Sequence, residues 1–245
     1  MNLVSLIKVV LLSLTKKDEH ARYRLAEFLA TAVYPTFKFS EFGRSFLLDK
    51  NFIAVYEKFQ GKENYHSLDR KFAMDQLMKI ALQSGGDTAE CGAFQGASSF
   101  LICRRIAGAG RSHHIFDSFE GVSQPKQFDG SHWKKGDLQS PEHVIRENLA
   151  EFSFVRYHKG WIPEKFEDVK NRLFSFVHID VDLYEPTRDS LYFFYERMSS
   201  GGVILCDDYG FVTCPGARKA LDEFIVGKPE PVIELPTGQA FILKK

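Results

Sequence analysis

From residue 86 onward, short apolar runs alternate with stretches of helical periodicity, and the alternation closes on two apolar runs that meet at Thr237-Gly238. Runs at 88–94, 113–119, 154–160, 173–182 and 201–209 read as strands. Helical patterns fill 97–106, 141–152, 187–198 and 216–226, with a short helix after Pro163. Strands separated by crossover helices build a parallel sheet covered on both faces. The last two runs, 230–236 and 238–245, cannot be parallel neighbours, because a parallel connection needs about a dozen residues or more. They must form an antiparallel hairpin. The expected fold is α/β: a doubly wound, mostly parallel, seven-stranded sheet whose last strand is antiparallel.

Residues 1–85 have a different texture, mostly helical, with a clear amphipathic period in "RKFAMDQLMKIAL" (70–82) and a breaker cluster "SGGD" at 84–87. The expected division is a helical extension or lid over 1–85 and a sheet domain over 86–245. The apolar start, 1–17, is interrupted by Lys8 and is too short to span a bilayer. Val4, Ile7, Leu11 and Leu14 share one helical face, which suits packing on the body of the protein, on a second copy in a homo-oligomer, or on a membrane surface. The 32 basic and 32 acidic residues cancel, so the chain carries no nucleic-acid footprint. Four scattered cysteines without a CxxC pair read as reduced thiols of a cytoplasmic protein, soluble or peripheral at a membrane.

Candidate functional residues gather at the strand ends. "AECGAFQGAS" (89–98) places Glu90, Gly92 and Gly96 between a strand and a helix, where glycines let the backbone approach a ligand and a helix N-terminus offers unpaired N–H groups. The pattern departs from the dinucleotide G-x-G-x-x-G, since Phe94 leaves a single glycine in the first turn. Asp117 ends the second strand, a usual place for an acid that meets ribose hydroxyls. Together the two acids favour a cationic nucleoside over a pyrophosphate.

The fourth and fifth strands end in "HIDVD" (178–182) and "VILCDDY" (203–209). If those strands are neighbours, Asp180 converges with Asp207 and Asp208 at one rim, and three crowded carboxylates need a cation between them. Oxygen donors suit Mg²⁺, Mn²⁺ or Ca²⁺ rather than zinc, with Mg²⁺ expected and Mn²⁺ its alternative, and no His/Cys constellation competes. Capping is the simpler role for Asp182 and would also serve for Asp208.

A doubly wound sheet closed by a hairpin resembles the class I S-adenosylmethionine-dependent methyltransferases. "AECGAFQGAS", "DSFEG" (117–121), "GW" (160–161), "HIDVDLYEPT" and "GGVILCDDY" look more narrowly like the macrocin O-methyltransferase family, over roughly 65–245. The resemblance implies S-adenosylmethionine-dependent methylation of a hydroxyl on a sugar of a glycosylated natural product or glycan. It implies cofactor contacts from Glu90, Cys91, Gly92, Gly96, Ser98, Asp117, Ser118, Gly136, Gly160 and Asp180, and metal ligands Asp180, Asp207 and Asp208. Asp182 and Tyr184 would support the site. The family's general base falls on His132 in "DGSHWKKGD", where Lys134-Lys135-Gly136 departs from the family pattern. His143 is a rival base, expected on a solvent-facing helix, and His178 reads as core. Two other readings stay open: a catechol-type methyltransferase acting on an aromatic diol, and a methyltransferase-like scaffold without catalysis.

Overall fold

The computed structural model describes residues 3–15, 18–35, 44–60 and 66–245. The chain divides into two compact units, Met1–Val55 and Tyr56–Lys245. In the first, helices α1 (Leu3–Thr15) and α2 (Glu19–Val33) form a pair. The Asp18 carboxylate caps α2 by accepting from the Ala21 N–H at 2.9 Å. Val4, Ile7, Leu11 and Leu14 are exposed within this unit. The ends of the 1–17 segment lie outside the described residues. No helix among the described residues is long and apolar enough to cross a membrane.

After α3 (Lys50–Lys58) and α4 (Leu68–Ala81) come β1 (Asp87–Cys91), α5 (Ala97–Ile106), β2 (His113–Asp117), α6 (Glu142–Asn148), β3 (Val155–Lys159), β4 (Phe174–Ile179), α7 (Tyr184–Tyr195), β5 (Met198–Cys206), α8 (Pro215–Phe224), β6 (Ile233–Glu234) and β7 (Ala240–Leu243). The sheet order is β3-β2-β1-β4-β5-β7-β6, with β7 antiparallel to β5 and β6. The expected seven-stranded architecture is therefore present, although β6 is only two residues long. The segment after Pro163 is a 3₁₀ turn, Phe166–Val169.

The division of the chain differs from the expected break at 85/86. Helix α4 buries Met74, Leu77, Met78 and Ala81 and packs on β4, β5 and α5, so it belongs to the sheet unit. Its apolar stripe, within the stretch expected to form an extension or lid, covers one face of the sheet.

Side chains alternate between faces along each strand. Ala89, Cys91, Phe116, Val177, Ile179, Ile204 and Cys206 meet Leu191 and Phe194 of α7 and Leu221 and Phe224 of α8 in one core. Thr88, Glu90, His178 and Asp207 occupy the opposite parity, toward α4 and α5. Register then builds the rim. Cys91 pairs with Ile179 and Ile179 with Cys206, so the next residues, Gly92, Asp180 and Asp207, sit side by side.

Gly92 has to be glycine on two counts: its φ is +78°, and a Cβ there would lie 1.9 Å from the Asp180 carbonyl oxygen. Gly108 shares that φ with open space around it. Gly108→Ala should therefore cost about 1 kcal/mol of strain, whereas Gly92→Ala should cost at least about 3 kcal/mol. Urea unfolding of the two variants beside wild type measures the difference, and equal losses would refute the close-approach argument.

Candidate active site

A cavity of about 810 Å³ opens at the carboxyl ends of β1, β2 and β4. Ligands of open α/β sheets bind at this edge. Three non-glycine residues with left-handed backbone line it: Phe94 (φ 47°) after β1, Leu138 (φ 59°) in the loop between β2 and α6, and Asp182 (φ 60°) after β4. Strained conformations of this kind concentrate at binding sites.

One flank of the cavity is an acid cluster built on the α4 side of the sheet. The Asp207 carboxylate is 1% exposed. Its Oδ2 accepts from Arg70 Nη2, and its Oδ1 accepts from Gln239 Nε2 at 2.5 Å and faces His178 Nε2 at 3.0 Å. His178 Nδ1 reaches the Glu90 carboxylate at 2.8 Å, an interaction set by the cross-strand pairing of Glu90 with His178. Burial opposes an imidazolium there, but the charge and hydrogen bond of Asp207, reinforced by Glu90, raise His178 to about 10. Burial likewise works to raise Asp207, yet the Arg70 and His178 charges hold it well below the usual carboxylate range. Lys71 Nζ, buried beside them, donates to Ser98 Oγ.

Asp180 and Asp208 are held differently. Burial and then the neighbouring acids push both well up, Asp180 through Asp207 and Asp208, and Asp208 through Asp182 and Asp207. Burial and the Asp180 charge also raise Asp182, to about 7. Asp208 accepts from the Asp182 backbone N–H at 3.1 Å, and Asp182 accepts from Cys214 Sγ at 3.3 Å. Adjacent residues at a strand end diverge, so the acid pair splits between two groups. Asp180 and Asp207 gather with His66, one donor atom from each lying within 4.8 Å of the others, while Asp208 gathers with Asp182 and Cys214.

Five carboxylates (Glu90, Asp180, Asp182, Asp207, Asp208) thus meet three cationic groups (Arg70, Lys71, His178). Burial and the Lys71 charge hold His66 well below its ordinary value, so it adds no positive charge. With all five acids ionised two negative charges would remain, and the raised Asp180, Asp182 and Asp208 meet that excess by favouring their protonated forms until a cation replaces the protons; the donors are carboxylate oxygens with one imidazole. This chemistry fits a divalent cation.

The other expected residues divide between cavity and scaffold. Glu90, Gly92, Ser98, Asp117, Ser118, Gly160, Asp180, Asp182, Asp208 and His132 line the cavity. Both Glu90 oxygens are engaged, one by His178 and one by Ser99 Oγ, which leaves little of this 1% exposed carboxylate for a ligand. Cys91 does not line the cavity, because strand alternation turns its side chain into the α7–α8 core. Gly136 does not line it either; its N–H closes the 120–137 loop on the Val122 carbonyl at 2.9 Å. Gly96 packs against Ile145 at the start of α5. Asp117 accepts from the N–H groups of Ala93 (2.8 Å), Phe94 (3.3 Å) and Phe119 (2.7 Å), so it shapes the β1–α5 turn with lone-pair capacity left over.

Across the cavity, His132 is exposed and packs edge-on against Trp133 at 4.8 Å. Trp133 Nε1 donates to Cys214 Sγ at 3.4 Å, which connects the His132 loop to Asp182. Asp129, 2% exposed, anchors the same loop by accepting from the Tyr184 N–H at 2.7 Å. His143 is exposed on α6, and His178 is buried as expected, though inside a polar network.

Sequence reasoning missed His66, Arg70, Lys71 and Gln239. A signal for two of them exists. The stripe Met74, Leu77, Met78, Ala81, stepped back one turn, lands on Arg70 and Lys71, so the phase of α4 points both cations at the sheet.

The profile of macrocin-O-methyltransferase (TylF) matches residues 49–235. The chain belongs to the macrocin O-methyltransferase family. It is 29% identical over 154 residues to demethyldecarbamoylnovobiocin O-methyltransferase of Streptomyces niveus, covering 57% of this chain and 58% of that one. It is 28% identical over 166 residues to 8-demethyl-8-(2,3-dimethoxy-alpha-L-rhamnosyl)-tetracenomycin-C 4'-O-methyltransferase of Streptomyces olivaceus, covering 61% and 62%. The chain spans about three fifths of the length of these curated relatives. Among solved structures, the calicheamicin methyltransferase CalS11 aligns with a TM-score of 0.65 at 17% identity, over 89% of this chain and 90% of that one. The O-methyltransferase NovP aligns at 0.59 and 24% identity, over 74% and 83%. These likenesses show the fold.

One buried histidine behind the site ties stability to pH. His113, on β2, contacts Ser99 Oγ at 3.0 Å and Thr88 Oγ1 at 2.9 Å, and burial lowers it to about 4. The unfolded chain takes up a proton near pH 6.5 and the folded chain only near pH 4. His113 therefore leaves stability intact above 6.5 and removes about 3 kcal/mol as pH falls through that window. The unfolding free energy of wild type relative to His113→Gln should decline between pH 6.5 and 4 and be flat above 6.5. A difference that is level throughout would contradict the assignment.

Proposed function

We propose that this protein is an S-adenosylmethionine-dependent, divalent-cation-dependent O-methyltransferase whose acceptor is a hydroxyl of a sugar on a glycosylated natural product or glycan. The observation that carries the proposal is one cavity with an under-neutralised acid cluster on one flank and an exposed histidine on the other. Membership of the macrocin O-methyltransferase family supports it, as do relatives named for methylating novobiocin and tetracenomycin precursors.

Within this reading the chain's residues divide the work. The β1–α5 turn, shaped by Asp117 and lined by Gly92 and Ser98, receives the nucleoside end of S-adenosylmethionine, with Asp117 lone pairs and the Ser118 hydroxyl available to ribose hydroxyls. Asp180 and its neighbours Asp207 and Asp208 would hold the cation, and Arg70 and His178 keep Asp207 ionised for that purpose. When bound, the cofactor supplies an electrophilic methyl group and the cation lowers the pKa of an acceptor hydroxyl. His132 then takes the hydroxyl proton from the open side of the cavity, oriented by Trp133. Asp129 and the Trp133–Cys214 contact hold the His132 loop in place, so the acceptor's orientation is set before reaction. A homo-oligomer and membrane contact through 1–17 stay with this proposal as expectations from the apolar face of α1, and a cytoplasmic location as an expectation from the four unpaired cysteines.

Incubation with S-adenosylmethionine, Mg²⁺ and a panel of deoxysugar-bearing natural products, with a catechol as comparison, tests it by mass spectrometry. A methylated sugar is expected, chelation by EDTA should abolish turnover, and His132→Ala should lower kcat by about 10²–10⁴-fold with cofactor affinity unchanged. Methylation of the catechol alone, or full turnover in EDTA, would refute the acceptor or the cation part respectively.

A further inference from the structure

Seventeen large hydrophobic side chains are exposed among the described residues, and nine of them fall in the Met1–Val55 unit, less than a quarter of the chain. Exposed apolar side chains scattered singly are ordinary, but a concentration of them marks a surface with a partner. The same unit is the basic part of a neutral chain. It holds eight Lys and Arg against five Asp and Glu, a surplus of three positive charges. Because the whole chain balances at 32 of each sign, Tyr56–Lys245 carries the equal negative surplus. A charge asymmetry of this kind points to a partner surface of opposite sign.

Both features meet on α1. Helix α2 folds back along it, with Arg22 Nε donating to the Ser13 carbonyl at 3.2 Å and with Val9, Ser13 and Ala21 buried in the pair. The opposite side of α1 presents Val4, Ile7, Leu11 and Leu14, each more than half exposed, and α2 adds Leu29 and Val33 one turn apart. Lys8 is exposed in the middle of the α1 stripe, Lys16 and Lys17 follow it in sequence, and no acid precedes Asp18. The position of Lys8 chooses between occupants. A two-fold pairing of this stripe with a second copy, parallel or antiparallel, would set Lys8 close to the same residue of the other chain, and like charges brought together are destabilising. A bilayer surface accepts both features: the apolar side chains enter the headgroup boundary, the long Lys8 stem carries its ammonium back to the headgroups, and anionic lipids attract all three lysines. We propose that the α1–α2 hairpin is a docking element for an anionic lipid bilayer. The inference concerns where the protein stands, and it does not depend on the chemistry assigned to the cavity.

The test is cosedimentation of the full chain with vesicles of phosphatidylcholine alone or with about 30% phosphatidylglycerol, beside sedimentation velocity of the lipid-free protein. Expected are binding to the anionic vesicles, binding to the neutral vesicles weaker by about tenfold or more, and a several-fold loss in about 0.5 M salt. Leu11→Ser/Leu14→Ser, which removes apolar contact, and Lys16→Gln/Lys17→Gln, which removes charge, should each weaken anionic-vesicle binding by about tenfold or more. Circular dichroism and urea unfolding of each variant establish that it is folded. Absence of vesicle binding, or binding undiminished in both folded variants, would overturn the proposal. So would a lipid-free dimer that Leu11→Ser/Leu14→Ser dissociates, because the stripe would then belong to a second copy of the chain.

Discussion

The site depends on the buried carboxylate of Asp207. A carboxylate removed from water is costly unless it is paired and hydrogen-bonded, and Asp207 is held from three places at once: Arg70 on α4, His178 on β4 and Gln239 immediately before β7 in the terminal hairpin. The hairpin that makes the last strand antiparallel is therefore also what brings Gln239 to the rim. Helix α4, the central strands and the chain's last segment converge on one oxygen pair. Removing any of the three partners would leave charge stranded in the interior.

From that anchor the chemistry spreads outward along a gradient of compensation. Asp207 is neutralised from two sides and stays ionised. Asp180, one strand over, and Asp208, one residue on, are pushed up because burial and the charges of neighbouring acids outweigh the share of positive charge that reaches them. This imbalance separates a ligand site from a structural salt-bridge network, in which partners are matched. On the far side of the cavity, the loop bearing His132 is tied back by Asp129 and by the Trp133–Cys214–Asp182 contacts, so acid cluster and His132 share one scaffold.

Much of this was legible in the residues, for physical reasons. Strand and helix periods differ enough to reveal the alternating core, and a two-residue connection forces a hairpin whatever the rest does. The acids at 180, 207 and 208 stood out because carboxylates rarely end buried strands without a purpose. Other features needed coordinates. Cys91 belongs to the same motif as Glu90 and Gly92, yet strand alternation sends its side chain into the opposite core. Glu90 reads as a ligand-binding acid, but its strand neighbour His178 occupies it, a pairing that only register reveals. Arg70 and Lys71 were hidden because charged residues at a helix start are ordinarily solvated, and only the phase of the buried stripe shows otherwise. The boundary at Val55/Tyr56 was missed for the same reason, since an amphipathic helix does not say which surface it covers.

The central claim is that the acid cluster, once fully ionised, is short of about two positive charges and that a divalent cation completes it. The most direct measurement is the unfolding free energy of metal-stripped wild type with and without saturating Mn²⁺, at fixed pH and S-adenosylmethionine concentration. At 100 times its dissociation constant the ion should add about 2.7 kcal/mol of stability, because the unfolded chain offers no assembled cluster. An unfolding curve indifferent to Mn²⁺ and to Mg²⁺ would mean that the buried acids are balanced by protons and by Arg70, Lys71 and His178 alone, and the account would fail at its base.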